Sequence, residues 1–451
     1  MRSHWSSRWA FILATSGSAV GLGNIWKFPY MTGTNGGSAF VLVYLLCVAL
    51  IGLPLMMTEI MLGRRAQRNP VDGMAQLAAE AGGAPWWKGV GYMGIAAGVL
   101  ILSFYSVVAG WVLGYGLRAA GGGFAGMDAA RAKEVFSAFL ANPFELLFWH
   151  SAFMFLTMFV VARGVTSGLE RATRIMMPGL MAILFILLGY SLAVGDMGRS
   201  IDFMFRPDFS GITPAAVLSA MGHSFFTLSL GMGAVMVYGS YLQRHTSIAR
   251  SAFHIVLMDT GIALVAGVTI FAIVFANGLE PAAGPGLIFQ TLPIAFGQMP
   301  AGSVFATLFF VLVAFAAWTS SISLVEPAVS WLIENTRLSR ARAALLVGGL
   351  VWLLGIAVLL SFNGWSEVKL FGLGIFDLLD KLTTNIMLPL GGLLMALFAV
   401  WVMHAAHAQE ELALNDRHYR RWLFVTRFVA PAAIVLVFLN LIGWLPFTQG
   451  I

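Results

Sequence analysis

Apolar stretches of about twenty residues, each long enough to carry an α-helix across a hydrocarbon core of about 30 Å, recur along the whole chain. Charges gather in the short segments between them. We count about eleven such stretches: 9–36, 39–63, 89–120, 144–163, 170–194, 213–241, 248–277, 302–334, 343–362, 371–403 and 422–446. The first and the sixth differ from the rest. Each carries a Gly-x-Gly at mid-depth, Gly21-Leu22-Gly23 and Gly231-Met232-Gly233, flanked by Ser, Thr or Asn. Backbone that leaves a helix inside the hydrocarbon must be re-satisfied by protein or by a polar cavity. Broken helices at matching places in two halves therefore predict a midplane binding site built of helix ends and freed carbonyls. Glycine also serves close helix packing in membranes, but two breaks with polar flanks favour a site.

Five spans lie between the first break and residue 194, and five more between the second break and residue 403. An odd number of spans per half inverts the second half relative to the first. The sequence thus predicts an all-α integral membrane fold in one domain, 1–451. It holds a first repeat over 8–194 (helices 1–5), a second over 213–403 (helices 6–10), and an eleventh helix, 422–446, outside the repeat. The segments joining spans 5 to 6 and 7 to 8 are expected as long external loops, punctuated by Pro207, Pro214, Pro281, Pro285, Pro293 and Pro300.

Composition agrees: 59% of residues are hydrophobic and 10% charged, against about 25% charged in soluble domains. With the N-terminus inside, 18 of the 26 Lys and Arg fall in cytoplasmic loops, which is the positive-inside bias. The net charge of +6 is therefore a topological signature rather than a sign of nucleic-acid binding. The expectation is a multi-pass protein of the cell inner (plasma) membrane, with the bilayer as partner, the N-terminus cytoplasmic and the C-terminus outside. The first span lacks a small-residue cleavage site, so no cleavable signal is expected. Cys47 is the sole cysteine, which rules out an intrachain disulfide. No pattern bears on oligomeric state.

Asn24, Glu59, Thr227, Ser229, Asp259, Thr319, Ser320, Ser323 and Glu326 all fall within otherwise apolar spans. Ionisable groups there are expensive and point to function. The set is rich in oxygen and poor in sulfur and imidazole, which suits a hard cation. A lone membrane Ser or Thr more often back-bonds to its own helix. Enzyme chemistry finds little support. Ser, His223 and Asp259 are scattered without a nucleophile elbow, and no metal-binding histidine pair appears.

Gly17-Ser-Ala-Val-Gly-Leu-Gly-Asn-Ile-Trp-Lys-Phe-Pro-Tyr30, Asn35-Gly-Gly37, Gly52-Leu-Pro54, Glu59, Phe225-Phe-Thr-Leu-Ser-Leu-Gly-Met-Gly233 and Thr319-Ser-Ser-Ile-Ser323 resemble the signature segments of the neurotransmitter:sodium symporter family. They follow the same order over almost the entire chain, and the bacterial amino-acid members with eleven helices are the most similar. The resemblance implies a leucine-transporter-like fold with helices 1 and 6 unwound, and sodium-coupled symport by alternating access. A proton-coupled carrier, or a non-transporting amino-acid sensor on the same fold, is the alternative.

Carried over by residue, the resemblance implies two sodium sites. The first would use the Ala19 carbonyl, Asn24, Thr227 and Asp259. The second would use the Gly17, Val20 and Ala316 carbonyls with the Thr319 and Ser320 hydroxyls. Substrate would be lined by Ser18, Ala19, Gly21, Gly23, Ile101, Tyr105, Phe226, Ser229, Met232, Ser320, Ser323 and Leu324. Lys27 paired with Asp380, or with Asp377 one turn earlier, would close the outer mouth. Arg2, Trp5, Ser240, Tyr241 and Glu334 would close the inner one. Monoamine-carrying relatives have an aspartate where this chain has Gly21, so the expected substrate is a neutral hydrophobic or aromatic amino acid. Of the groups that hold chloride in chloride-dependent relatives, Tyr44 and Thr227 match, while His223, Asp259 and Ala263 depart. No chloride is expected.

Overall fold

A computed structural model describes residues 4–208, 213–281 and 286–441. The chain is helical throughout these residues, apart from an isolated bridge between Leu370 and Leu373. Helix α1 (Arg8–Ala19) starts at Ser7, whose hydroxyl accepts the Ala10 N–H at 3.1 Å, a satisfied N-cap. It stops at Val20, whose backbone is extended at ψ 106. A wide turn over Gly23–Lys27 then leads into α2 (Phe28–Thr34), with Pro29 in its first turn, where proline loses no helical hydrogen bond. The first expected span is thus two half-helices.

Next come α3 (Ser38–Ala66), the short α4 (Pro70–Glu80), α5 (Pro85–Ala120), α6 (Ala129–Ala141), α7 (Pro143–Ala162), α8 (Val165–Val194) and α9 (Met197–Phe205). The second broken span is α10 (Pro214–Thr227) followed by α11 (Ala234–Ser240). After it run α12 (Ile248–Ala276), α13 (Leu292–Gln298), α14 (Gly302–Asn335), α15 (Arg340–Leu360), α16 (Ile375–Val402), α17 (Ala405–Leu412) and α18 (Asp416–Phe424). The chain continues through Val425–Val429 into α19 (Ala430–Leu441). Among the described residues, eight unbroken helices are long and apolar enough to cross a membrane. The C-terminal residues expected outside, 445–451, lie beyond the described ones.

Two expected loops turn out to contain helices. α9 and α13 occupy the segments after the fifth and seventh spans, and Pro214 and Pro293 sit in first helical turns. Proline there fixes a helical φ at no cost in hydrogen bonds, so it starts a helix as readily as it ends one. Around the site, α1 packs on α12 and α14, α11 on α3, and α14 along α5. Outward faces such as Phe144, Phe148 and Phe155 of α7, or Leu345 and Leu353 of α15, are exposed apolar side chains, as a lipid-facing surface requires.

Candidate functional site

The second break shows why glycine stands there. Ser229, Gly231 and Gly233 all have positive φ, 54, 82 and 77, so the chain between α10 and α11 is left-handed at three places. A Cβ on Gly231 would lie 2.0 Å from the Leu388 carbonyl oxygen of α16. Only hydrogen fits between these backbones. Ser229 tolerates its strained backbone because its hydroxyl donates to the Ser18 carbonyl at 2.9 Å. That bond stitches one break to the other. Glu59 of α3, read from sequence only as polar at depth, anchors the second break, where its Oε1 accepts the Gly231 N–H at 2.6 Å.

At the first break the freed N–H groups find side chains. Asn24 Oδ1 accepts the Gly21 N–H at 2.9 Å, and the Tyr105 hydroxyl oxygen accepts the Leu22 N–H at 3.1 Å. Tyr105 therefore keeps its own O–H to donate, beside Ser320 and over the N-terminal end of a half-helix. That end favours negative charge. Between the breaks lies a nearly closed cavity of ≈ 10 Å³, about the room of one water, lined by Ala19, Gly21, Gly23, Ile101, Tyr105, Phe226, Ser229, Met232, Ser320 and Leu324. Ten of the twelve expected substrate residues thus share one cavity. Ser18 and Ser323 lie behind it: Ser18 Oγ donates to Ser323 Oγ at 2.7 Å, and Ser323 Oγ donates to the Ser320 carbonyl at 2.7 Å.

Two oxygen clusters flank the cavity. In one, Asn24 Nδ2 donates to Asp259 Oδ1 at 2.7 Å and to the Asp259 carbonyl at 3.0 Å, and Thr227 Oγ1 lies 3.1 and 3.2 Å from the two carboxylate oxygens. Asp259 is fully buried. No Lys or Arg pairs with it among the described residues, so it lacks the counter-charge that a buried carboxylate needs. Ala19 borders the cavity next to this cluster. In the other, Gly17 of α1 lies against Thr319 of α14. Thr319 Oγ1 donates to the carbonyls of Phe315 and Ala316 at 3.0 and 3.1 Å. This is the back-bond expected of a lone membrane threonine, and it leaves the hydroxyl lone pairs available. Ser320, on the same helix as Thr319, lines the cavity, and Val20 is the extended residue that ends α1.

Behind Asp259 stand Tyr44 and His223, which match and depart from the chloride-holding groups of relatives, and Thr260, which the sequence did not single out. Both ring nitrogens of His223 are buried without a hydrogen-bond partner, and the buried Tyr44 hydroxyl faces Thr227 and Thr260. His223 packs among Phe28, Phe40 and Tyr44, 5.4 Å from the Tyr44 ring. His223 therefore bonds to neither an acid nor a serine.

The two ends of the site are closed differently. Lys27 Nζ lies 3.1 Å from Asp380 Oδ1 and 4.6 Å from the centre of the Phe226 ring. Thr384 holds the same carboxylate oxygen at 3.0 Å. Asp380 is thus the partner, and Asp377 only lines the adjoining ≈ 220 Å³ cavity. Removing either charge, by Lys27→Gln or Asp380→Asn, is expected to speed release of bound substrate by up to about five-fold, ~1 kcal/mol for a pair whose Asp380 side chain is 30% exposed. The double variant should add nothing further. Additive effects in that cycle would show that the two side chains act separately.

At the other end Trp5 is buried, donating Nε1 to the Tyr238 carbonyl at 2.9 Å and its backbone N–H to the Tyr241 carbonyl at 3.1 Å. Glu334 Oε2 accepts the backbone and side-chain N–H groups of Asn69 at 3.0 and 2.8 Å. Arg2 lies outside the described residues. Sequence reasoning missed a third closure here: Tyr241 donates to Glu326 Oε1 at 2.9 Å, and Arg340 forms a bidentate ion pair with the same carboxylate. Glu326 stood out as a buried acid, but nothing in the linear pattern named its partners. A cavity of ≈ 660 Å³ opens beside Tyr241, Glu334 and Arg340.

A model of the Sodium:neurotransmitter symporter family matches residues 2–121 and 143–448. The sodium-dependent transporter YhdH of Bacillus subtilis is 40% identical over 447 residues, 98% of this chain and 98% of its own length. A sodium-dependent transporter of Haemophilus influenzae is 34% identical over 451 residues, 97% of this chain and 98% of its own. The crystal structure of MhsT in complex with L-phenylalanine superposes with a TM-score of 0.91 at 44% identity, over 98% of this chain and 100% of that one.

Proposed function

The chain belongs to the sodium:neurotransmitter symporter family, whose members are transporters and not enzymes, and from that premise we propose that it is a sodium-coupled importer of a neutral hydrophobic or aromatic L-amino acid, working without chloride. Its fold is that of MhsT, and its sodium dependence stands on the full-length relatives. The observation that carries the substrate class is the first break. Gly21 lets Tyr105 and Ser320 close onto the backbone, where a Cβ would stand 2.7 Å from the Tyr105 hydroxyl, and that hydroxyl's oxygen is already engaged by Leu22. A free carboxylate answers that donor and the half-helix end. Ile101, Phe226, Met232 and Leu324 give the rest of the ligand an apolar and, at methionine, adaptable wall. The phenylalanine bound to MhsT is a ligand of this kind.

In this reading one sodium joins Ala19, Asn24, Thr227 and Asp259, next to the substrate carboxylate. The second joins Gly17, Val20, Ala316, Thr319 and Ser320, holding α1 against α14. Lys27 with Asp380 closes the outer mouth, and Arg2, Trp5, Tyr241 and Glu334 close the inner one. The repeats 8–194 and 213–403 rock about the shared site, with 422–446 outside them, the N-terminus cytoplasmic and the C-terminus outside.

The test is uptake of a radiolabelled amino-acid panel into proteoliposomes with and without an inward sodium gradient. Accumulation of a large apolar amino acid only with sodium is the expected result. Uptake driven equally by a proton gradient would favour proton coupling. Binding without uptake would favour a sensor. The double variant Thr319→Ala, Ser320→Ala is expected to lower sodium affinity about ten-fold or more, since two lost oxygen ligands cost at least ~1.4 kcal/mol. Unchanged sodium affinity in that variant would remove both hydroxyls from the second site.

A further inference from the structure

We propose that the outward face of the last span, formed by Arg417, Arg420, Phe424, Arg427 and Phe428 together with Trp401 of α16, binds an anionic phospholipid whose phosphodiester is the counter-ion of Arg427. Arg427 lies within Val425–Val429, between α18 and the apolar α19, where an ionisable side chain is costly and needs a partner. Its guanidinium stacks 3.7 Å from the centre of the Trp401 ring and 5.7 Å from that of Phe428. Stacking satisfies the charge in part, but none of the five N–H donors. Nε is buried without a hydrogen-bond acceptor, and no carboxylate pairs with Arg427 among the described residues.

The surroundings identify the missing anion. Trp401 stands at the end of the Ile375–Val402 span, the depth at which tryptophan favours the headgroup boundary. Trp401, Phe424 and Phe428 are 55%, 59% and 52% exposed, so the guanidinium is framed by rings that face lipid. Arg420 and Arg417 follow on the same face, one and two turns beyond Phe424, and both are exposed. A long basic side chain at this depth extends toward the headgroups. The anion available to it there is the lipid phosphodiester, with acyl chains left to lie on the aromatic rings. A second copy of the chain fits poorly, because a two-fold interface would set this face against itself and bring cation against cation.

The test uses the full chain in micelles with equal amounts of dioleoyl phosphatidylglycerol and dioleoyl phosphatidylcholine, counting retained lipid by native mass spectrometry. The wild type is expected to retain the glycerol lipid preferentially. Arg427→Gln should lower that preference about five-fold, the effect of one basic group at an anionic surface. Arg427→Lys should keep part of it, and Arg250→Gln, an exposed cation elsewhere, all of it. An excess of water-soluble glycerophosphoglycerol should displace nothing. Equal retention of both lipids by the wild type, or undiminished preference in Arg427→Gln, would overturn the proposal. So would displacement by the soluble diester, or a lipid-indifferent dimer that dissociates in Arg427→Gln. None of these readouts depends on transport, so this site and the proposed function fail separately.

Discussion

Gly21→Asp is expected to abolish amino-acid uptake, and Gly21→Ala to remove most of it. A Cβ at this position would stand 2.7 Å from the Tyr105 hydroxyl and 2.9 Å from both Cβ and Oγ of Ser320, closer than real side chains approach. Even a methyl group must therefore displace Tyr105, which also caps the Leu22 N–H at 3.1 Å. The half-helix end would lose its cap and the cavity its hydroxyl donor. Aspartate adds a second injury, a fixed carboxylate where the substrate's own carboxylate has to sit. Two like charges in a water-excluded site cannot both be compensated by one donor set. A loss of uptake of about a hundred-fold or more, ~2.8 kcal/mol, is the expected size for Gly21→Asp. Competition binding on the wild type supplies the complementary measurement: the transported amino acid should displace label, and its decarboxylated amine should not. Equal potency of acid and amine would overturn the carboxylate reading, whatever the variants do.

Why so much of this site was legible in the linear chain is itself physical. A bilayer permits few backbone solutions, so length, hydropathy and a glycine at mid-depth already locate the spans and their breaks. Oxygen-bearing side chains inside such spans are rare enough that naming them nearly names the site; Asn24, Thr227, Asp259, Thr319 and Ser320 all converge on the two breaks. What stayed hidden depended on partners distant in sequence. Glu59 and Glu326 were visible as buried acids, but their roles come from Gly231 in the one case and from Tyr241 and Arg340 in the other. Asn69 caps α4, accepting the N–H groups of Val71 and Asp72. Its amide also holds Glu334, which no local pattern encodes. Ser18 and Ser323 share helices with cavity residues, and only the helix rotation turns them toward each other instead. Pro293 misled because the same residue starts and stops helices.

The second large effect is expected at Asp259. Sodium-driven uptake by the wild type should be indifferent to replacing chloride with gluconate, whereas Asp259→Asn should lose sodium affinity by about a hundred-fold or more. The carboxylate is fully buried and held by Asn24 and Thr227, with no cationic side chain to balance it among the described residues. Such a charge is tolerable when a cation completes the site, and sodium beside Asn24, Thr227 and Asp259 does so. A fixed negative charge at this place also removes the need for a bound anion to offset sodium in low dielectric. Asparagine keeps the shape and loses that charge. Its amide can still turn Oδ1 toward Asn24 Nδ2 and Nδ2 toward the Thr227 hydroxyl, so the variant tests the charge and not the hydrogen bonds. Breaking a buried charge pair costs about 3–5 kcal/mol, which sets the hundred-fold expectation. His223 leaves both ring nitrogens buried without protein partners close by, so the neighbourhood has hydrogen-bonding capacity for water or an ion. The chloride swap is therefore a real test of which charge the wild type relies on. A wild type that stops transporting in gluconate would show that the carboxylate does not stand in for chloride. An Asp259→Asn variant with unaltered sodium affinity would remove Asp259 from the first sodium site.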